Sequence, residues 1–296
     1  MKNKKILGVL SVLFSGILWG HSGFFVKTLG IYNASDLTIS FLRVVFTVVE
    51  MTVVMLIFNR KVFKVSLKHI PILLVSGMIG IVGSSLFYFV AIDLTSLSLA
   101  AVLMYTAPTI VMLLSLIIFK EKLTFKKVLC VVVAFLGSML SCGIFSSQSS
   151  FTIKGIAFGC LAGLSYALYS ISSSIAIKKN CEPLTITVYS FIFALIPMLA
   201  VGDIPQVINS VKQAPEILGI SAIQAFLTCL LPYVLYTIGL RFVSPTYASI
   251  ISTIELVTAS AIGFVSFNEK LDIFSILGII LIISSILILN IRLKKE

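Results

Sequence analysis

Ten stretches of about twenty mostly apolar residues, each the length of helix that spans a bilayer core, divide this chain at roughly 6–27, 37–58, 70–92, 97–119, 127–145, 153–177, 183–201, 215–240, 245–267 and 273–291. Each predicts a membrane-spanning helix. The polar segments between them are short loops. Ser146-Ser147-Gln148-Ser149-Ser150 predicts a hinge between two halves, and only 202–214, with Pro205, predicts a loop of any length. The organisation expected is a first five-helix half over 6–145 and a second over 151–291, integrated in one membrane domain with no soluble part.

The two halves are related. Positions 86–123 align without a gap on 234–271 at an offset of 148. The pairs Tyr88/Tyr236, Ser96/Ser244, Ala100/Ala248, Phe119/Phe267, Glu121/Glu269, Lys122/Lys270 and Leu123/Leu271 are identical, and most other pairs are apolar in both copies. Duplication in so apolar a chain is a mark of transporters, in which two related halves rock around a site between them.

Charge sets the orientation. With the N-terminus inside, 17 Lys and Arg residues fall on the inner side and four, Lys27, Lys154, Lys212 and Lys270, on the outer, with Arg43 inside a span. Positive residues concentrate in cytoplasmic loops, so both termini are expected in the cytoplasm. Five spans per half is an odd number, so the second half enters upside down relative to the first. The fold class is therefore an all-α integral membrane protein of ten transmembrane helices, arranged as two inverted five-helix repeats.

Composition agrees: 59% of residues are hydrophobic, 11% charged, and mean hydropathy is +1.15. The net charge of +11 does not point to nucleic acid, because the basic residues are spread over loops instead of forming one patch. The apolar stretch from Ile6 to Val26 is too long for a signal-peptide core and Trp19-Gly20-His21 offers no small-residue cleavage site, so it reads as a retained first helix. The five cysteines lack metal-ligand spacing, and there are two histidines without H-E-x-x-H and no phosphate-binding loop. No metal, cofactor or ATP hydrolysis is expected, and an intramembrane enzyme is unsupported.

Trp19-Gly20 with Lys27 closing the first helix, Phe41-Leu42-Arg43 in the second, and Tyr88 through Ala91 before a short turn resemble the EamA family of the drug/metabolite transporter superfamily. So do Tyr105-Thr106-Ala107-Pro108 and the glutamates Glu121 and Glu269 after helices four and nine. The resemblance runs over about 6–291 and implies a ten-helix secondary transporter with a central cavity, usually exporting amino acids or other small metabolites. Multidrug efflux is the alternative within transport. The sequence departs at Glu255-Leu256, where the family often has Glu-Pro, so no proline break in helix nine is expected.

Ionisable groups deep in a bilayer are costly and mark interior pairs or pathways. Arg43, Glu50, Glu255 and His21 are of this kind. Arg43 and Glu50 share a helix face and predict a pair. Glu255 is then the spare carboxylate, left to hold a proton, meet a cationic group or reach water. A zwitterionic amino acid would suit one cation against two carboxylates. His21 is a candidate proton relay, with a satisfied polar side chain as the plainer reading. Pro108 frees a backbone carbonyl in mid-membrane, and Tyr105 one turn earlier predicts a polar-tipped cavity wall. Gly16 and Gly20, and Gly155, Gly159 and Gly163, predict close helix packing. Glu121-Lys122 and Glu269-Lys270 read as interfacial caps and ion pairs.

Overall fold

Every stretch apolar enough to need lipid is a helix in the computed structural model, which describes residues 2–143 and 152–291. Among the described residues nine helices are long and apolar enough to span a membrane: α1 Asn3–Gly30, α2 Asp36–Phe58, α3 Leu67–Leu94, α4 Leu97–Phe119, α6 Ile153–Lys178, α7 Pro183–Val201, α8 Glu216–Leu240, α9 Pro245–Phe267 and α10 Ile273–Asn290. The shortest of these, 18 residues, covers roughly 27 Å at 1.5 Å per residue. The tenth, α5 Phe125–Ser141, has 17 residues. The polar run 146–150, Arg292, Lys294 and Lys295 lie outside the described residues.

The segment 202–214, expected as a loop, contains the helix Ile204–Gln213. Asp203 caps it by accepting from the Gln206 amide at 3.0 Å, and Pro205 occupies its first turn, where proline has no amide bond to lose. Val207 is buried while Ile208 is half exposed, as suits a helix lying along an interface.

Packing follows the duplication. α1 packs on α8 and α9, and its repeat mate α6 packs on α3 and α4; α2 packs on α8 and its mate α7 on α3; α5 and α10 lie against each other. The helices of the two halves are thus interleaved about a pseudo-two-fold relation, two inverted repeats in one bundle. α3 and α8 share a further feature, π-helical turns at Val75–Gly83 and Phe226–Leu230, which overlap when the offset of 148 is applied.

The distribution of polarity is inside-out. Small hydroxyl groups such as Ser15, Thr47, Ser76, Ser170 and Thr237 are fully buried, while Phe58, Ile117 and Leu287 are exposed on the perimeter. Lipid accepts the perimeter side chains, and helices satisfy their own backbone groups. The small residues allow close crossings. A Cβ on Gly16 would lie 2.5 Å from Ile254 Cγ2 and 3.0 Å from the Ser252 carbonyl, and one on Gly163 would lie 2.8 Å from Thr106 Oγ1 and 3.1 Å from the Met104 carbonyl. The glycine faces of α1 and α6 therefore seat α9 and α4 at equivalent points.

Candidate functional site

Those equivalent points are breaks. α4 consists of Leu97–Met104 and Ala107–Phe119, with Tyr105 and Thr106 between; α9 consists of Pro245–Ser252 and Ile254–Phe267, with Thr253 between. In α4, Pro108 is buried in the first turn of the second piece, where its missing N–H costs nothing. In α9 no proline stands at the break, which forms without one. Three hydroxyl side chains turn back on the helix there: Ser249 donates to the Thr246 carbonyl at 3.0 Å, Ser252 to the Ser249 carbonyl at 2.9 Å and Thr253 to the Ile250 carbonyl at 2.7 Å. Such bonds compete with the backbone ladder and bend helices.

Between the breaks lies a cavity of about 10 Å³, lined by Tyr105, Pro108, Tyr166, Ser249, Ser252 and Thr253 among others. That is room for about one water molecule. Tyr166 hydrogen-bonds Ser252 at 3.4 Å across the cavity.

Glu255 follows the α9 break. The Tyr105 side chain and the Arg43 guanidinium lie within electrostatic reach of it. Tyr88, Tyr166 and Tyr233 are within reach of its charge as well. Arg43 comes from the first half and Glu255 from the second, so the repeat brings together one cation and one carboxylate.

The pair expected between Arg43 and Glu50 is not formed. Arg43 donates from Nη2 to Ser85 Oγ at 3.1 Å, and no ion pair within 4.0 Å joins it to either glutamate among the described residues. Seven residues along a helix is about 10.5 Å of rise, and the guanidinium turns across to α3 instead of down α2. Arg43 Nε and Glu50 Oε2 are buried without hydrogen-bond partners. His21 sits at the break in α1 between Lys2–Trp19 and Ser22–Gly30, with Nδ1 3.0 Å from the Ile17 carbonyl, the satisfied arrangement.

Other residues here carry no sequence signal that sets them apart from packing. Trp19 from α1 meets Tyr233 and Tyr236 with ring centroids 5.1 and 5.2 Å apart and Tyr166 at 6.2 Å. Gln224 in α8 is fully buried with both amide atoms unpartnered; a polar residue inside a predicted span is its only signal. Tyr236, in contrast, is a core residue bonded to Ser170 at 2.8 Å.

Beyond the cavity the two ends of the bundle differ. At the end carrying most of the basic residues, Glu121 accepts from Ser244 at 2.6 Å, Lys127 at 2.7 Å and Thr246 at 2.8 Å. Burial alone would raise the pKa of this carboxyl, but the three hydrogen bonds and the Lys127 charge prevail and hold it below its ordinary value. A cleft of about 340 Å³ beside it is lined by Glu121, Lys178, Arg241 and Ser244 among others. At the opposite end Glu269 pairs with Lys27, and both are half exposed. Both glutamates form ion pairs as expected, though with Lys127 and Lys27 and not with the adjacent lysines.

A protein of Bacillus subtilis (strain 168) described as uncharacterized transporter YyaM is 27% identical over 242 residues, 79% of this chain and 78% of its own. An uncharacterized transporter of Archaeoglobus fulgidus is 29% identical over 205 residues, 68% of this chain and 70% of its own. One solved crystal structure matches with a TM-score of 0.77 over 98% of this chain and 97% of its own, at 15% identity, which shows a shared fold. The profile of the EamA-like transporter family matches twice, over residues 6–143 and 153–291. With both halves matched and interleaved as inverted repeats, the chain belongs to the EamA-like transporter family.

Proposed function

We propose that this transporter is a secondary carrier for a small zwitterionic metabolite, with an amino acid as the best-fitting class, and that it works by alternating access across the cytoplasmic membrane. The supporting observation is that Arg43 and Glu255, one from each half, share a tyrosine-lined centre without being bound to each other. A substrate carboxylate takes the guanidinium, whose Nε has no partner, in a bidentate charge-assisted contact. The substrate amine takes Glu255, and Tyr105 and Tyr166 supply apolar faces with hydroxyl tips.

The basic end is the cytoplasmic one by the positive-inside rule, with both termini there, and the direction of net movement is export. Glu255 carries the coupling proton, which it takes up when no substrate amine is present. Movement of the two halves around the α4 and α9 breaks opens the small cavity to one side at a time.

A thermal-shift screen of the purified protein against amino acids, nucleobases, sugars and cationic dyes tests the substrate class, since a ligand bound only by the folded state raises its melting point. Amino acids are expected to stabilise. Stabilisation by dyes alone would favour multidrug efflux and reject the Arg43 assignment. In proteoliposomes Glu255→Gln is expected to remove the pH dependence of uptake while leaving the protein folded. Wild-type pH dependence in that variant would reject the coupling role.

A further inference from the structure

We propose that Glu121 and Glu269 are paired gate latches. In the state described here Glu121 latches the basic end. In the opposite state Glu269 leaves Lys27 and latches the other end by taking the hydroxyls of Ser96 and Ser98. This inference rests on the alternating-access reading and adds which atoms hold each end shut.

The two glutamates sit in the same backbone cradle. Each follows a residue in the left-handed region, Lys120 at φ 52° and Asn268 at φ 52°. Each returns its amide to a carbonyl six residues back, Glu121 to Ser115 at 3.2 Å and Glu269 to Gly263 at 3.1 Å. Each carboxylate is thereby projected from an equivalent corner, after α4 in one half and after α9 in the other.

What they hold is not equivalent. Glu121 grips the first turn of α9 through Ser244 and Thr246, with its side chain only 15% exposed. The offset of 148 carries Ser244 onto Ser96 and Thr246 onto Ser98, in the first turn of α4. Ser96 caps its helix as Ser244 does, accepting from the Leu99 amide at 3.2 Å where Ser244 accepts from Tyr247 at 3.4 Å. No hydrogen bond joins Glu269 to Ser96 or Ser98 among the described residues; its partner is Lys27, and its side chain is 48% exposed. The second piece of α4 packs against the first piece of α9 at the basic end, whereas the reciprocal pieces form no comparable interface at the other. One latch is closed, and the same parts lie unfastened at the other end.

The chemistry suits a reversible fastener. A carboxylate accepting from two hydroxyls makes charge-assisted bonds, and on release it returns to an exposed lysine. Lys27 is then the keeper of the open position. An inverted repeat passes through two states that mirror each other, so a contact made by one half in the first is made by the other half in the second.

The test is pulsed electron–electron resonance in a cysteine-free background, with one spin-label pair at positions 122 and 241 across the basic end and another at 97 and 270 across the other. The full-length protein is reconstituted in nanodiscs, with substrate and pH varied. Wild type is expected to show a short and a long distance at each end, populated in opposition. Glu269→Gln and Ser98→Ala are each expected to cut the short population at the 97/270 end roughly tenfold, the effect of losing about one charge-assisted hydrogen bond. Lys27→Gln is expected to raise that population, and Glu121→Gln to lengthen the 122/241 distance. Size-exclusion profiles and melting curves identify variants that have merely misfolded. Wild-type populations in folded Glu269→Gln and Ser98→Ala would overturn the latch while leaving alternating access in place. A single unchanging distance at both ends in wild type would overturn both.

Discussion

The seat of α9 on α1 is open to a direct test with two glycines in different surroundings. At Gly20 an added Cβ meets Thr258 Cβ at 2.5 Å and the Glu255 carbonyl at 2.8 Å, distances that real contacts do not reach, and the second is backbone. At Gly219, exposed within α8, an added Cβ meets nothing within 4 Å. Alanine at Gly219 gains helix propensity of up to about 1 kcal/mol. Alanine at Gly20 gains the same and incurs overpacking of about 1–3 kcal/mol. The two variants are therefore expected to differ by roughly 1–3 kcal/mol, with Gly20→Ala the less stable. At about 2–4 °C per kcal/mol, melting followed by tryptophan fluorescence in detergent should separate them by several degrees. Because the displaced atoms include the Glu255 backbone, Gly20→Ala should also slow transport in protein that remains folded. A Gly20→Ala protein that melts at or above Gly219→Ala would refute the close seat of α9.

Three further outcomes follow from the geometry. Single cysteines at 64 and 122 are expected to react with a membrane-impermeant reagent only from the cytoplasmic side, and cysteines at 27 and 154 only from outside; position 122 labelled from outside would reject the orientation. Tyr105→Phe, which removes the hydroxyl beside Glu255 and keeps the ring, is expected to weaken apparent substrate affinity roughly tenfold, about the worth of one hydrogen bond to a charged group, whereas unchanged affinity and pH profile would make Tyr105 a packing residue. Glu121 is held below its ordinary value of 4.5 in the folded protein, so its contribution is complete above that pH and is lost as pH falls through the lower folded value. The basic end should loosen only in acid, in wild type and not in Glu121→Gln, while Lys127, Lys178 and Arg241 around it stay charged.

The spans and the duplication were legible in the sequence because the bilayer imposes them locally. Each helix must satisfy its own backbone and be long enough to cross, so apolar run lengths alone mark α1 to α10, with α5 at the margin. The helix Ile204–Gln213 was missed because its few apolar residues answer to an interface and not to a bilayer core. The break in α9 was hidden for a different reason: the bonds that make it come from Ser249, Ser252 and Thr253, residues that also sit quietly inside unbroken helices. Arg43 shows the limit most clearly. Spacing on α2 offers it Glu50, but the fold brings Ser85 of α3 within 3.1 Å and puts Glu255 of the other half within range of its charge. Glu121 likewise finds Ser244 and Thr246 more than a hundred residues away. Which helices exist follows from how each segment meets lipid; which side chains meet at the centre and at the two ends depends on how the inverted halves interleave, and that is decided only when ten helices share one volume.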